Sequence, residues 1–254
     1  MPTESGAGIV LETSGLTRRF GGLAAVDEVS IAIARGRVHA ILGPNGAGKT
    51  TLINLLSGNM RPSSGTIRFK DRDITGLGAH DVSQLGIGRS YQKTNIFRDF
   101  TCFENCFLAA QSRLPSAMRF FRPAARYGDV TARADRALAL CGLARRAGTV
   151  AAHMSYGEQR QLELGMMLAT EPELLLLDEP LAGMGREESA RVVELLRELA
   201  KGHTLVMIEH DMDAVFAIAE TITVMVNGRV LETGPAAAVR ASAAVRAAYL
   251  GEDH

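Results

Sequence analysis

Gly43-Pro44-Asn45-Gly46-Ala47-Gly48-Lys49-Thr50 sets two glycines, a lysine and a threonine at the spacing G-x-x-x-x-G-K-[ST]. Residues of these types, so spaced, hold phosphate: glycines let the backbone wrap the anion, amide hydrogens at a helix start donate to its oxygens, and the ammonium of Lys49 offsets its charge. Thr50 offers a hydroxyl to Mg²⁺. A dinucleotide loop of the type G-x-G-x-x-G has no such lysine and is excluded. A second element, Leu174-Leu175-Leu176-Leu177-Asp178-Glu179, ends an apolar run in two acids. Asp178 there suits a Mg²⁺ shell, and Glu179, one residue on, suits a base that polarises water for attack on a γ-phosphate.

These groups need elements to position them. The run GRVHAIL (36–42) reads as a buried strand delivering the glycine loop, and the apolar spacing of LINLLSG after Thr51 reads as the helix that leaves it. Before it, IVLETSGL (9–16) and AAVDEVSIAI (24–33) predict a small β-rich sheet. Residues 65–91 predict two short strands, GTIRF and GIGRSY, around a polar, turn-rich stretch. From about 93 to 171 the periodicity turns helical, in TCFENCFLAAQ, VTARADRALALCGLA and GEQRQLELGMMLAT. From 172 strands and helices alternate again, and unbroken runs such as LLLL and TLVMI suit parallel strands covered on both faces. An alanine-rich helical tail closes the chain from 235.

The chain has 254 residues, 46% hydrophobic and 22% charged, which fits one folded unit and argues against disorder or coiled coil. Lysine plus arginine (28) balances aspartate plus glutamate (28), so no basic excess points to nucleic acid. Cys102, Cys106 and Cys141 neither pair evenly nor have the spacing of a zinc site, and they read as reduced structural thiols. The start lacks the pattern of a signal peptide, and no apolar run is long enough to span a bilayer. The expectation is a cytoplasmic protein that meets membrane through a partner.

With these motifs in view the sequence resembles the ATP-binding subunits of ABC transporters. Met154-Ser155-Tyr156-Gly157-Glu158-Gln159 is similar to the family's signature, Gln92 to its Q-loop, and Ile208-Glu209-His210-Asp211 to its switch-histidine region. Phe20 stands where an aromatic stacks on adenine. Read alone, Phe20 is a core residue, Gln92 a polar strand end and His210 a structural histidine. The resemblance covers residues 9–250. It implies a P-loop NTPase core (9–92 and 172–234) with an antiparallel β subdomain, an α-helical insertion (93–171) bearing the signature, and a helical tail (235–254).

For the site, the resemblance implies that ATP is held by Phe20, Gly43, Pro44, Asn45, Gly46, Ala47, Gly48, Lys49, Thr50, Thr51 and Gln92. Ser155, Gly157 and Glu158 would grip the γ-phosphate of the opposite subunit in a head-to-tail dimer. Mg²⁺ would be held by Thr50, Gln92 and Asp178, and the catalytic groups would be Lys49, Glu179 and His210. Two departures stand out: Tyr156 and Glu158 replace the usual second glycine and glutamine of the signature, and Gly185 stands where the loop after Glu179 usually carries Asp or Asn.

Within the family, RRFGGLAAVDEVS, the tyrosine of SYGEQ, the 105–130 insertion, IEHDM and AAYLGE resemble most the subunits that drive uptake of branched-chain amino acids, amides and urea. The implied function is ATP hydrolysis powering import, at the cytoplasmic face of the inner membrane. The implied partners are integral-membrane permease subunits, a second ATPase subunit (a copy or a paralogue) and, indirectly, a periplasmic or secreted substrate-binding protein. The arginine- and phenylalanine-rich stretch from Phe97 to Tyr127 reads either as a solvated helix pair or as a groove for a permease helix. An exporter ATPase, such as one serving lipopolysaccharide export, and a soluble non-transport ABC ATPase are the alternative readings.

Overall fold

The computed structural model describes residues 8–90, 95–114 and 128–250. Its centre is a six-stranded sheet in the order β11-β10-β4-β9-β8-β7, formed by Arg229–Pro235, Thr221–Val226, Val38–Leu42, Thr204–Ile208, Leu174–Asp178 and Ile87–Arg89. All neighbours are parallel except the edge strand β11, which is antiparallel to β10. The apolar runs split by alternation, as strands covered on both faces require. Val38, Ala40, Leu42, Leu175, Leu177, Leu205 and Met207 face one core, while Ile41, Leu174, Leu176, Val206 and Ile208 face the other.

The second core is closed by helix α1 (Lys49–Leu56) and by an antiparallel sheet of β1 (Ile9–Phe20), β2 (Leu23–Val29), β3 (Ala32–Ala34), β5 (Ser64–Phe69) and β6 (Arg72–Asp73). β1 runs four residues past the stretch predicted from sequence, because its second half pairs with β2 after its first half has paired with β3 and β5. The stretch read as polar turn contains a short helix, α2 (Ala79–Gln84), which buries only Val82 and so lacks an apolar stripe long enough to show in the sequence.

The first core is closed by α3 (Cys102–Gln111), α4 (Gly128–Leu140), α5 (Tyr156–Ala169), α6 (Arg186–Ala200) and α7 (Met212–Ile218), with α8 (Ala236–Ala241) and α9 (Ala243–Leu250) following β11. α3, α4 and α5 pack on one another. Their contact explains the three cysteines: all are free and buried, and a Cβ at Gly165 would lie 3.3 Å from the Cys106 sulfur and 3.5 Å from that of Cys141. Burial pushes the Cys106 thiol up to about 12 and raises that of Cys141 further, so both stay protonated spacers between helices. Among the described residues no helix is long and apolar enough to cross a membrane.

Candidate functional site

Parallel strands β4, β9 and β8 end at one edge of the sheet, where open α/β sheets bind ligands. Leu42 passes into the glycine loop, whose Gly43, Gly46 and Gly48 adopt φ of +150°, +78° and +96°. At 43 and 48 the neighbours also demand glycine: a Cβ would stand 2.1 Å from the Met225 carbonyl and 2.1 Å from the Ala25 carbonyl. At Gly46 nothing lies within 4 Å, so the open side of the loop faces outward. Helix α1 starts on Gly48 with no side-chain cap and no acid in its first turn, unlike α3, capped by Thr101, and α5, capped by Ser155. Its first amides are thus available to an anion. Lys49 is buried, with Nζ donating to the carbonyls of Gly43 and Pro44, the latter at 2.8 Å. Pro44, Thr50 and Thr51 are half-buried, Ala47 is buried, and Asn45 and Gly46 are exposed.

Asp178 closes β8 at 1% exposure, and neither carboxylate oxygen has a hydrogen-bond partner. Arg89 Nη2 lies 3.7 Å from its Oδ2. Arg89 is itself held by Asn54 Oδ1 and Ser57 Oγ, each at 2.7 Å, so the guanidinium ties α1 to the end of β8. Burial raises the carboxyl of Asp178 above its usual range, Arg89 opposes the rise, and the adjacent Glu179 adds to it. A desolvated carboxylate without hydrogen bonds, beside a phosphate loop, has the chemistry of a divalent-cation ligand, and hard oxygen donors suit Mg²⁺.

Glu179 occupies the left-handed region at φ +52°, a conformation that costs a non-glycine residue energy and is held only where its surroundings determine it. Its amide donates to the Ile208 carbonyl at 3.0 Å, and its Oε1 lies 2.7 Å from Nε2 of the half-exposed His210. Glu209, between Ile208 and His210, is 4% exposed and accepts backbone hydrogen bonds.

The sheet edge therefore brings together Lys49, Asp178, Glu179 and His210. Ser155, Gly157 and Glu158 form a second cluster at the start of α5, whose first residue is Tyr156. The helix starts there because Ser155 and Glu158 make a reciprocal capping box: Ser155 Oγ accepts from the Glu158 amide at 3.3 Å and Glu158 Oε2 from the Ser155 amide at 2.9 Å. Glu158 also pairs with Arg146 at 3.3 Å. Gly157 is buried against Glu188, whose Oε1 would lie 2.6 Å from a Cβ there. The Tyr156 ring rests on Gly183, so the unusual tyrosine of the signature braces the loop after β8. Phe20 is half-exposed at the end of β1, opposite Leu23 and 4.8 Å from the Arg18 guanidinium. Beyond Leu23, Ala25 presses on Gly48, so the Phe20 end of this sheet leans on the phosphate loop. Gln92 and residues 115–127 of the 97–127 stretch lie outside the described residues.

Sequence reasoning missed Arg89 and Glu209. Arg89 gave no signal in the sequence, whereas Glu209 was marked by being an acid directly after four apolar strand residues, Leu205 to Ile208.

Fold and site define a phosphate-loop nucleotide-binding protein of cassette type. The ABC transporter family matches residues 26–182, and the branched-chain amino acid ATP-binding cassette transporter family matches residues 229–254. The high-affinity branched-chain amino acid transport ATP-binding protein LivG of Salmonella typhimurium is 38% identical over 250 residues, covering 96% of this chain and 98% of its own. BraF of Pseudomonas aeruginosa, with the same description, is likewise 38% identical at the same coverage. Among solved structures, the ADP conformation of MJ1267, an ATP-binding cassette of an ABC transporter, superposes with TM-score 0.85 at 28% identity, covering 96% of this chain and all of that one. A nucleotide-free cassette matches at 0.84. The chain belongs to the ABC transporter ATP-binding proteins, a family of nucleotide-binding ATPases.

Proposed function

We propose that this chain hydrolyses ATP to drive import of branched-chain amino acids. The observation that carries the chemistry is the Glu179–His210 contact of 2.7 Å beside the buried Asp178, at the mouth of a loop built for phosphate. The amides of residues 46–51 and the Lys49 ammonium, released from the loop carbonyls, receive the β- and γ-phosphates. Glu179 takes a proton from the attacking water, and His210 holds Glu179 in register with the γ-phosphate. Thr50 and Asp178, with Gln92, would hold Mg²⁺, which when bound neutralises charge on the phosphate oxygens. Phe20, exposed on an edge that leans on the loop, supports a stacking role for adenine.

Ser155 and Gly157 lie outside this cluster, at a helix start where Ser155 and Tyr156 are exposed, which supports their acting on the ATP of a second ATPase subunit across a head-to-tail interface. The substrate class rests on relatives whose names state branched-chain amino acid transport and on the match of the 229–254 segment to that transporter family. On this reading the chain works at the inner face of the cell membrane with permease subunits, which an external binding protein supplies. Deleting the gene should reduce uptake of labelled leucine to background. Wild-type chain should restore it and Glu179→Gln should not. Uptake unaffected by the deletion overturns the substrate assignment, and rescue by Glu179→Gln overturns the role of Glu179.

A further inference from the structure

Strand β9 is buried at all five residues, and the chain leaves it through Glu209, which stays inside at 4% exposure. A carboxylate in that place is costly unless its lone pairs are satisfied. Backbone amides satisfy them. Oε1 accepts from the Leu181 amide at 2.7 Å, Oε2 accepts from its neighbour His210 at 3.1 Å, and the Asp211 amide adds a further bond. Leu181 is 28 residues away, in the loop joining β8 to α6. One carboxylate thus fastens two loops. The first carries Glu179, two residues before Leu181, and the second carries His210, and these side chains meet at 2.7 Å. The Glu179 amide to Ile208 carbonyl bond is a further tie between the two loops, directly before Glu209. Glu179 keeps its left-handed φ of +52° because its own amide and that of Leu181 are both held.

We propose that Glu209 is a positioning residue for ATP hydrolysis, an acceptor-only clamp that sets Glu179 against His210 by gripping the backbones of both loops. This rests on the reading that Glu179 and His210 act on ATP. The chemistry requires a carboxylate: an ionised Glu has two oxygens and no donor, so every amide around it finds an acceptor. A glutamine of the same shape turns an NH₂ toward one of those amides, and one arm of the clamp becomes donor against donor. Glu209 touches no phosphate in this arrangement, so nucleotide affinity does not depend on it.

The test uses the full-length chain, steady-state hydrolysis, binding of a fluorescent ATP analogue with Mg²⁺, and hydrogen exchange. Glu209→Gln should lower kcat about tenfold or more, the loss of one charge-assisted hydrogen bond, with KM and analogue affinity within about twofold of wild type. Exchange should rise together in residues 179–185 and 207–212 and stay unchanged in 43–50. Wild-type kcat in the folded variant overturns the proposal, as does faster exchange in one loop alone. Should Glu209→Gln fail to fold, Glu209→Asp decides on the same readouts, because it keeps the charge but shortens the reach between the loops. Glu179→Gln is measured alongside. If it hydrolyses like wild type, the reading of Glu179 fails; if it is inactive while Glu209→Gln is fully active, the clamp alone fails.

Discussion

Two regions proposed to meet phosphate are built in opposite ways. The glycine loop is locked from beneath by backbone, with Gly43 against the Met225 carbonyl and Gly48 against that of Ala25, and its helix start carries no side-chain cap. The start of α5 is locked by side chains: Ser155 caps it, Glu158 closes the box and pairs with Arg146, and Glu188 fills the space beside Gly157. The first region holds its donors ready for an anion from its own side. The second has used its Ser155 oxygen on its own helix, and a ligand arriving from outside must share or displace that bond. The difference teaches where each gains precision. One is fixed before nucleotide arrives, while the other, on the proposed reading, is completed by a second subunit.

A paired glycine substitution tests the contrast most sharply. Gly43→Ala puts a Cβ at 2.1 Å from a carbonyl that has the β-sheet behind it, at φ +150°, and neither strain can relax locally. It should lower stability by about 3 kcal/mol or more, read as urea unfolding. Gly157→Ala meets the far end of the Glu188 side chain, which can rotate away, and alanine favours helix, so its change should stay within about 1 kcal/mol. Equal losses at the two positions would mean that both regions are locked in the same manner.

The next pair separates binding from hydrolysis. Lys49→Ala should weaken binding of a fluorescent ATP analogue about 100-fold, since the buried ammonium proposed to meet the phosphates is removed. Ser155→Arg should leave analogue binding to the isolated chain unchanged, abolish hydrolysis, and cost about 1 kcal/mol of stability through the lost cap. If Ser155→Arg weakens binding as Lys49→Ala does, Ser155 serves the nucleotide of its own chain and the two regions form one site.

The two regions also differ in how far the sequence reveals them. The glycine loop and the acids at the end of β8 are written in consecutive residues, and alternation over Leu174–Leu177 and Thr204–Ile208 is enough to place the strands that carry them. The capping box at Ser155 and Glu158 is equally local, which is why α5 can be found. Arg89 and Glu209 escape because their partners, Asp178 and Leu181, come close only when β7, β8 and β9 lie side by side. α2 escapes because one buried valine makes no periodicity. The bracing of the 181–185 loop by Tyr156 is a tertiary contact that no local pattern encodes.

The smallest expected effect concerns acid, and it falls on the strand that feeds the glycine loop. His39 on β4 is 2% exposed, with Nε2 2.8 Å from Thr223 Oγ1, and burial lowers its pKa from 6.5 to about 4. Between those values the unfolded chain binds a proton that the native chain refuses, so stability falls as pH drops through 6.5 toward 4. From pH 7 to 5.5 this amounts to about 1 kcal/mol. His39→Asn should flatten the fall in urea midpoint over that interval, and the difference between wild-type and variant curves isolates His39 from Asp178 and Glu209, whose burial-raised pKa values act with the opposite sign. An unchanged slope in His39→Asn would mean that the acid sensitivity of the core lies elsewhere, and that the backbone lock beneath the glycine loop does not depend on a neutral imidazole.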